Sequence, residues 1–418
     1  MASHNRNPTG KNQHAKDDEK EALIEITLEK YHRQNVVSNK IIKEMLEAET
    51  GISLDPKTIQ RRRKRYGFTS GAVTEANLPK EQVEQLVLDQ LDKDPAKRAG
   101  VGTIWNRISH ETGYHLRRDT VSEVMHTHDP DAFAGRDPTA KEVHRAVLKP
   151  SGTHEWWSGD GHDKLKSIGF ALWMMVDGAT THVLDGWIVP NNRLNIVIAF
   201  LFLCLVETYK GVPLHANTDC GSETTLLYGI VNAFRDYFHP ELNAAGLAAH
   251  KYLRSIHNIA VERSWKFMRY DFGDNAVLVF QQGIADGIYD EMDPDHYELC
   301  QWLWSRFLQL LFNEWKEFHN GKKIRTQHEK VGPSGKSRAY SFLVPSSWGG
   351  QNLLQPIEDM DTVRKMKEEL GGDALIAFNS DEYKARAEAV YVGLGSPRLT
   401  LETVWDVFQS MLPSLRVD

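Results

Sequence analysis

Three acidic residues stand where their type and spacing could do chemistry. They are Asp160 in Trp156-Trp157-Ser158-Gly159-Asp160-Gly161-His162, Asp219 in Asn217-Thr218-Asp219-Cys220-Gly221-Ser222-Glu223, and Glu262 in His257-Asn258-Ile259-Ala260-Val261-Glu262-Arg263. Fifty-eight residues separate the first two and 42 separate the second from the third. A lone Asp or Glu carries no message, because exposed acids are common. Three become informative when each sits at the edge of a different element. Their oxygens are the hard donors that Mg²⁺ prefers, so acids brought together from three elements could hold divalent cations.

The elements that must position them can be read from pattern. Ser167 to Asp177 is a nearly continuous apolar run, which fits a buried strand. Gly178 to Thr181 is a turn, and His182 to Val189 the next strand of a hairpin. Asp160 lies just upstream, on the first strand of that meander. Asn191 to Tyr209 carries apolar residues at helical spacing and stops at Gly211. Pro213 to Thr218 is a short strand leading into Asp219. Thr225 to Phe238 reads as a helix, Ala248 to Arg254 as a strand, and Asn258 to Phe272 as a helix with Glu262 in its first turns.

Three strands, helix, strand, helix, strand, helix, with acids at strand one, strand four and a late helix, resembles the integrase core. This is the ribonuclease-H-like DDE fold of retroviral integrases and many transposases. Asp219-x-Gly221-x-Glu223 looks like the second motif of that family. His257-Asn258 followed by Glu262-Arg263 and Trp265 looks like the third. Trp157-x-x-Asp160-Gly161-His162-x-Lys164-Leu165 is similar to the first motif of eukaryotic integrase-core proteins, many of them fungal. Phe318 to Glu329 resembles the segment that closes the core. The resemblance covers roughly residues 150–335. It departs from the pattern at Ala260, where relatives are often basic. It implies two Mg²⁺ or Mn²⁺ ions about 4 Å apart, which activate an attacking oxygen and stabilise a leaving oxygen on phosphorus. Asp160 would bridge both ions, with Asp219 and Glu262 serving one each. Asp177 is a rival for the first position, since it also ends a strand of the meander, but the resemblance to the family's first motif favours Asp160.

The chain has 418 residues, enough for two or three domains, and an ordinary composition, 41% hydrophobic and 26% charged. Net charge is −7, so any nucleic-acid binding must come from local patches. Three scattered cysteines build neither a disulfide framework nor a cysteine-based zinc site, and they fit a reducing compartment. No run of 18 apolar residues suggests a membrane span, and the polar start suggests no secretory signal.

Residues 1–20 read as a disordered tail. Residues 21–75 read as three short helices, a helix-turn-helix unit. Ser38 caps the second helix and Gly51 stops it; Asp55 and Pro56 open the third. From Asp55 to Tyr66 the third helix carries Lys57, Arg61, Arg62, Arg63, Lys64 and Arg65 against Asp55 alone, a net charge of +5. Residues 1–75 hold 14 Lys and Arg against 11 Asp and Glu, so the positive charge is focused on that helix, where phosphates repay it through counterion release. A solvated basic face or a nuclear-import signal is the plainer reading of the same run. Residues 76–130 repeat the pattern, with Arg117 and Arg118 opening the third helix, and 131–150 read as a linker. Tandem helical units before an integrase core resemble the paired DNA-binding domains of transposases. His257, Asn258 and Arg263, by the resemblance, would touch DNA as well.

Trp302, Trp304, Phe307, Leu308, Leu311, Phe312 and Trp315 form apolar stripes of a helix at 296–318, a face suited to packing on the sheet. Lys322, Lys323 and Arg325 follow it. Beyond 336 the pattern gives only short helices, a C-terminal tail. The expected protein is an α/β integrase core at 151–335, a mixed sheet flanked by helices, preceded by all-α helix-turn-helix units and followed by a helical tail. The expected function is metal-dependent cleavage and joining of DNA at element ends and a target, by a nuclear protein that assembles as a homo-oligomer on DNA and touches no membrane. A transposase-derived DNA-binding protein with a non-catalytic core is the competing expectation, and a nuclease without joining activity is a third.

Overall fold

A computed structural model of the chain describes residues 18–95, 98–128, 149–162, 165–253, 258–327 and 331–416. The expected tail falls almost wholly outside these residues, as does most of the expected linker. The first helix, α1 (Asp18–Arg33), begins three residues earlier than its apolar pattern suggests. It packs with α2 (Asn39–Thr50) and α3 (Pro56–Arg65) around Ile24, Leu28, Tyr31, Ile42, Met45, Leu46 and Ile59. The start and stop signals work locally. Gly51 takes the left-handed conformation (φ +71°) that ends α2, and the Asp55 carboxylate accepts from the Lys57 amide at 2.8 Å with Pro56 as the first helical residue. Ser38 sits at the start of α2, but its side chain makes no capping hydrogen bond.

After α4 (Gly71–Asn77), a second unit forms from α5 (Lys80–Asp92), α6 (Val101–Thr112) and α7 (Arg118–His128) around Val83, Val87, Ile104, Ile108, Val121 and Met125. The two units are bonded to one another. Arg33 donates to the carbonyls of His110 and Glu111 at 3.1 and 2.9 Å, and the His32 and His115 rings stack at 3.9 Å.

Five strands make the central sheet: β1 (Trp156–His162), β2 (Ala171–Asp177), β3 (Val183–Val189), β4 (His215–Asp219) and β5 (His250–Leu253), in the order β3-β2-β1-β4-β5. The first three run antiparallel; β4 is parallel to β1, and β5 to β4. Every residue of β2 is buried, which its unbroken apolar run requires. The strand starts later than expected, because Leu165–Ile168 forms a tight turn closed by Gly169 at φ +88°.

Alternation along β2 divides the core. Leu172, Met174 and Val176 face a layer built by α10 (Ile259–Met268), α11 (Asp274–Ala285) and α12 (Pro294–Gly321). Ala171, Trp173 and Met175 face α8 (Asn195–Tyr209) and α9 (Thr225–Phe238). Nine of the 15 residues of α8 are buried apolar side chains, at about 1.5–3 kcal/mol of burial each for the larger ones. It is a core helix; no described helix is long and apolar enough to cross a membrane.

The tail completes both layers. In it, α14 (Met360–Leu370) covers α8, while α15 (Asp381–Gly393) and α16 (Val404–Leu415) pack on α12. Ahead of these, α13 (Arg338–Leu343) inserts Tyr340 into the core of the first helical unit, where its hydroxyl bonds Glu44. The aromatic stripe of α12 packs inward, as its spacing implies: Trp304, Phe307, Leu308 and Phe312 are fully buried. Two amides of α12 also close the exposed edge of β3. Gln309 accepts from Ile188 N and donates to Gly186 O, at 2.8 and 3.1 Å, and Asn320 does the same for the N–H and C=O of Val183, at 2.8 and 2.9 Å.

Candidate active site

Asp160 lies on β1, the middle strand, where two neighbours compete for space around it. Both flanking positions are crowded. A Cβ at residue 159 would lie 2.7 Å from Met175 Cε, and one at residue 161 would lie 2.7 Å from Asn192 Nδ2. The parallel register of β1 with β4 pairs Trp156 with His215 and Ser158 with Asn217. Two residues further on, the same register sets Asp160 level with Asp219 on one face, at a strand spacing of about 4.8 Å.

Glu262 arrives from the other direction. It sits in the first turn of α10, where its carboxylate complements the helix dipole. Asn258 caps that helix and is buried, and its amide donates to Gly159 O at 3.3 Å, fixing the helix start against β1. Trp265, one turn after Glu262 on the same face, donates its indole N–H to Asp160 Oδ2 at 2.9 Å and stacks on His162 with centroids 4.7 Å apart. The other Asp160 oxygen accepts from Gly161 N at 2.8 Å.

The carboxyl groups feel one another's charge. Burial pushes Asp160 up to about 7; the Trp265 bond opposes this, and the charges of Asp219 and Glu262 add to it. Burial and then Asp219 raise Glu262 too. Among the described residues no set of three or more His, Cys, Asp or Glu side chains closes around one cation-sized point. The donor set itself suits a hard cation: three carboxylates, and lone pairs left on both Asp160 oxygens, since each oxygen accepts only one hydrogen bond within the site.

Asp177 has different work. It pairs with Trp157 at the far end of the hairpin, is fully buried, and accepts from His154 N at 2.7 Å, Thr180 N at 2.9 Å and Thr180 Oγ1 at 2.6 Å. Its carboxylate is consumed in shaping the turn.

The expected DNA-facing residues divide. On α3, Lys57, Arg61, Lys64 and Arg65 are exposed and recur at helical spacing along one face. Arg62 instead pairs with Glu21 at 2.6 Å, and Arg63 donates to Val37 O and Asn39 Oδ1, both at 2.8 Å. Those two fasten α3 to α1 and α2. Arg117 and Arg118 are both exposed, and Arg117 also holds Glu75 at 2.5 Å. Asn258 faces β1 rather than solvent, Arg263 is exposed, and His257 lies outside the described residues. Lys322 is half-buried and donates to Thr103 of α6 at 3.2 Å. Ala260, where the sequence departs from the family pattern, is partly buried and packs against the core cluster.

Two features escaped sequence reasoning. Trp265 as the partner of Asp160 was signalled only by its i+3 spacing from Glu262. Lys266, exposed beside Arg263, was passed over; its ammonium lies 5.6 Å from the Tyr270 ring.

A family model for the integrase core domain matches residues 147–334. No curated protein matches the chain.

Proposed function

With the chain an integrase-core superfamily protein through its residues 147–334, we propose that it is a DDE-type DNA recombinase. It binds element ends through its helical units and cuts and joins DNA strands in the nucleus. The observation that supports this reading is geometric: the parallel register sets Asp160 level with Asp219 on neighbouring strands, and Glu262 stands on a helix bonded to the middle strand through Asn258 and Trp265.

Asp160, Asp219 and Glu262 would hold the divalent cations, Mg²⁺ or Mn²⁺. When bound, such ions supply charge for the attacking and leaving oxygens on phosphorus. The residues of this chain do the rest. Trp265 holds Asp160 in one rotamer, and its hydrogen bond favours the ionised form. Asn258 sets the height of Glu262 above the sheet. Arg263 and Lys266 give the rim of the site positive charge for a DNA backbone that the net charge of −7 would otherwise repel. No covalent link between protein and DNA is needed, because water and then a DNA 3′-hydroxyl attack in line. Joining two ends calls for at least two protomers.

The test is a supercoiled-plasmid assay with candidate end sequences and Mn²⁺. Joined product supports the recombinase. Nicks alone, abolished in Asp160→Asn, reduce the activity to a nuclease. Binding without cleavage overturns the catalytic reading and leaves a scaffold.

A further inference from the structure

The two helical units differ where their third helices meet solvent. On α3 the exposed side chains are Lys57, Gln60, Arg61, Lys64 and Arg65. Spacings of three and four residues keep them on one face. All but Gln60 are cations, α3 carries no acid, and none of these cations is ion-paired to a described residue. On α7 one exposed cation, Arg118, stands beside two exposed acids, Asp119 and Glu123, which lie one turn apart. Phosphates gain counterion release at the first face and meet repulsion at the second. Other arginines of the second unit are engaged within the protein. Arg117 holds Glu75, Arg98 holds Asp274, and Arg107 holds the carbonyl of Asp271.

Gln60 is the exception on the α3 face. Lysine and arginine only donate, so any phosphate satisfies them. A carboxamide carries a donor and an acceptor side by side, and a phosphate, which only accepts, leaves the acceptor idle. The edge of adenine in the major groove uses both, with its N6 amino group beside N7. The Gln60 amide bonds to no described residue, so nothing in the described chain competes for it. The fold also fixes its aim. Asp55 caps the start of α3, and Arg62 to Glu21 and Arg63 to Val37 and Asn39 lock the helix against rotation about its axis. Lys57 and Lys64, one turn to either side of Gln60, are then placed for the phosphates that flank a base pair.

We infer that Gln60 is the side chain through which the protein reads DNA sequence, by a paired contact to adenine in the major groove, and that the second helical unit reads none and serves as a strut between α3 and the core. The inference rests on the recombinase reading and deepens it, since it assigns the recognition of element ends to one face of one unit.

The experiment selects duplexes from a randomised library on the full chain, in EDTA so that nothing is cut. Wild type should enrich a motif with a fixed A·T pair. Gln60→Ala should enrich the same motif with that position relaxed. It should also bind the wild-type motif roughly 5- to 150-fold more weakly, the loss of one paired base contact, with an unchanged salt slope. Gln60→Glu, which accepts but does not donate, should move the preference at that position from adenine to cytosine. Arg118→Ala should keep the motif and the salt slope of wild type. Both positions are exposed, so the variants keep the fold. An unrelaxed motif in Gln60→Ala overturns the assignment of Gln60, and a smaller salt slope in Arg118→Ala overturns the strut. If wild type cuts plasmid with Mn²⁺ yet enriches no motif, the base contact alone fails. If it binds no duplex, the recombinase reading fails with it.

Discussion

Replacing Asp160 by Asn should stabilise the metal-free protein above pH 5 and abolish its response to metal. In the folded chain the Asp160 carboxyl is pushed from 3.8 up to about 7, by burial first and then by Asp219 and Glu262. A carboxyl with a raised folded value keeps its proton at a pH where the unfolded chain has released it. Stability is therefore full below about pH 4 and is lost as pH rises to about 7. A displacement of about three units at about 1.4 kcal/mol each sets a ceiling of about 4 kcal/mol at pH 8. Asparagine removes the charge and keeps an oxygen to accept from Trp265. For a unit of this size, about 2–4 °C per kcal/mol is expected. Mn²⁺ reverses the order. At a hundredfold excess over its dissociation constant it should stabilise wild type by about 2.7 kcal/mol, and the variant little. Thermal melts from pH 4 to 8, with and without Mn²⁺, measure both effects. Equal melting temperatures for the two proteins at pH 8 without metal, together with equal gains from Mn²⁺, would refute the coupling of charge to metal.

Arg61→Ala or Lys64→Ala should lower the salt slope of DNA binding by about one unit per lost phosphate contact, read by filter-binding titration. Arg62→Ala should instead lower the stability of the first helical unit, by on the order of 1 kcal/mol, because Glu21 loses its partner; no change in melting would place Arg62 on the DNA face after all. Asp177→Asn should destabilise the core, since three hydrogen bonds to a buried carboxylate weaken at roughly 1.5 kcal/mol or more each, while the folded fraction still cleaves. Trp265→Phe removes the donor that lowers the Asp160 value, so the pH at which Mn²⁺ begins to stabilise the protein should move upward; an unmoved midpoint would show that this bond does not set the charge of the site.

The order of strands and helices was legible because periodicity is local. β2 is an unbroken apolar run, α9 has its predicted bounds, and Gly51, Asp55 and Pro56 mark helix ends by backbone chemistry alone. The neighbourhood of the three acids was legible from motif order together with the fold it implies, not from spacing. The choice between Asp160 and Asp177 was not settled by pattern, since both lie on strands of the meander. Hydrogen bonds to Asp177 from residues 23 positions upstream and three downstream separate them. Helical phase could have sorted the cations of α3. Lys57, Arg61, Lys64 and Arg65 share a stripe, and Ile59, Arg62, Arg63 and Tyr66 turn toward the unit. Contacts across long separations left no mark: Gln309 on the edge of β3, Tyr340 in a core 300 residues upstream, and α16 against α12 depend on where the chain returns.

That return bears on how the parts act together. Arg338 at the start of α13 donates to the carbonyls of His319 and Lys322, both at 3.1 Å, and so grips the end of α12. Two residues later Tyr340 lies in the core of the first helical unit. The second unit is fastened separately, Arg98 to Asp274 and Arg107 to the carbonyl of Asp271, both just beyond α10. The basic face of α3 and the acids on β1, β4 and α10 are thus joined through folded contacts on both units, and not only through the chain between them. If α3 grips DNA, the distance from its contacts to the reacting phosphate is set by these bonds. Loosening them, for instance by Tyr340→Ala, should leave cleavage chemistry intact but spread the positions at which strands are cut. Sequencing the cleaved ends reads that spread directly, and a single unshifted cut site in Tyr340→Ala would mean that these contacts do not set the distance.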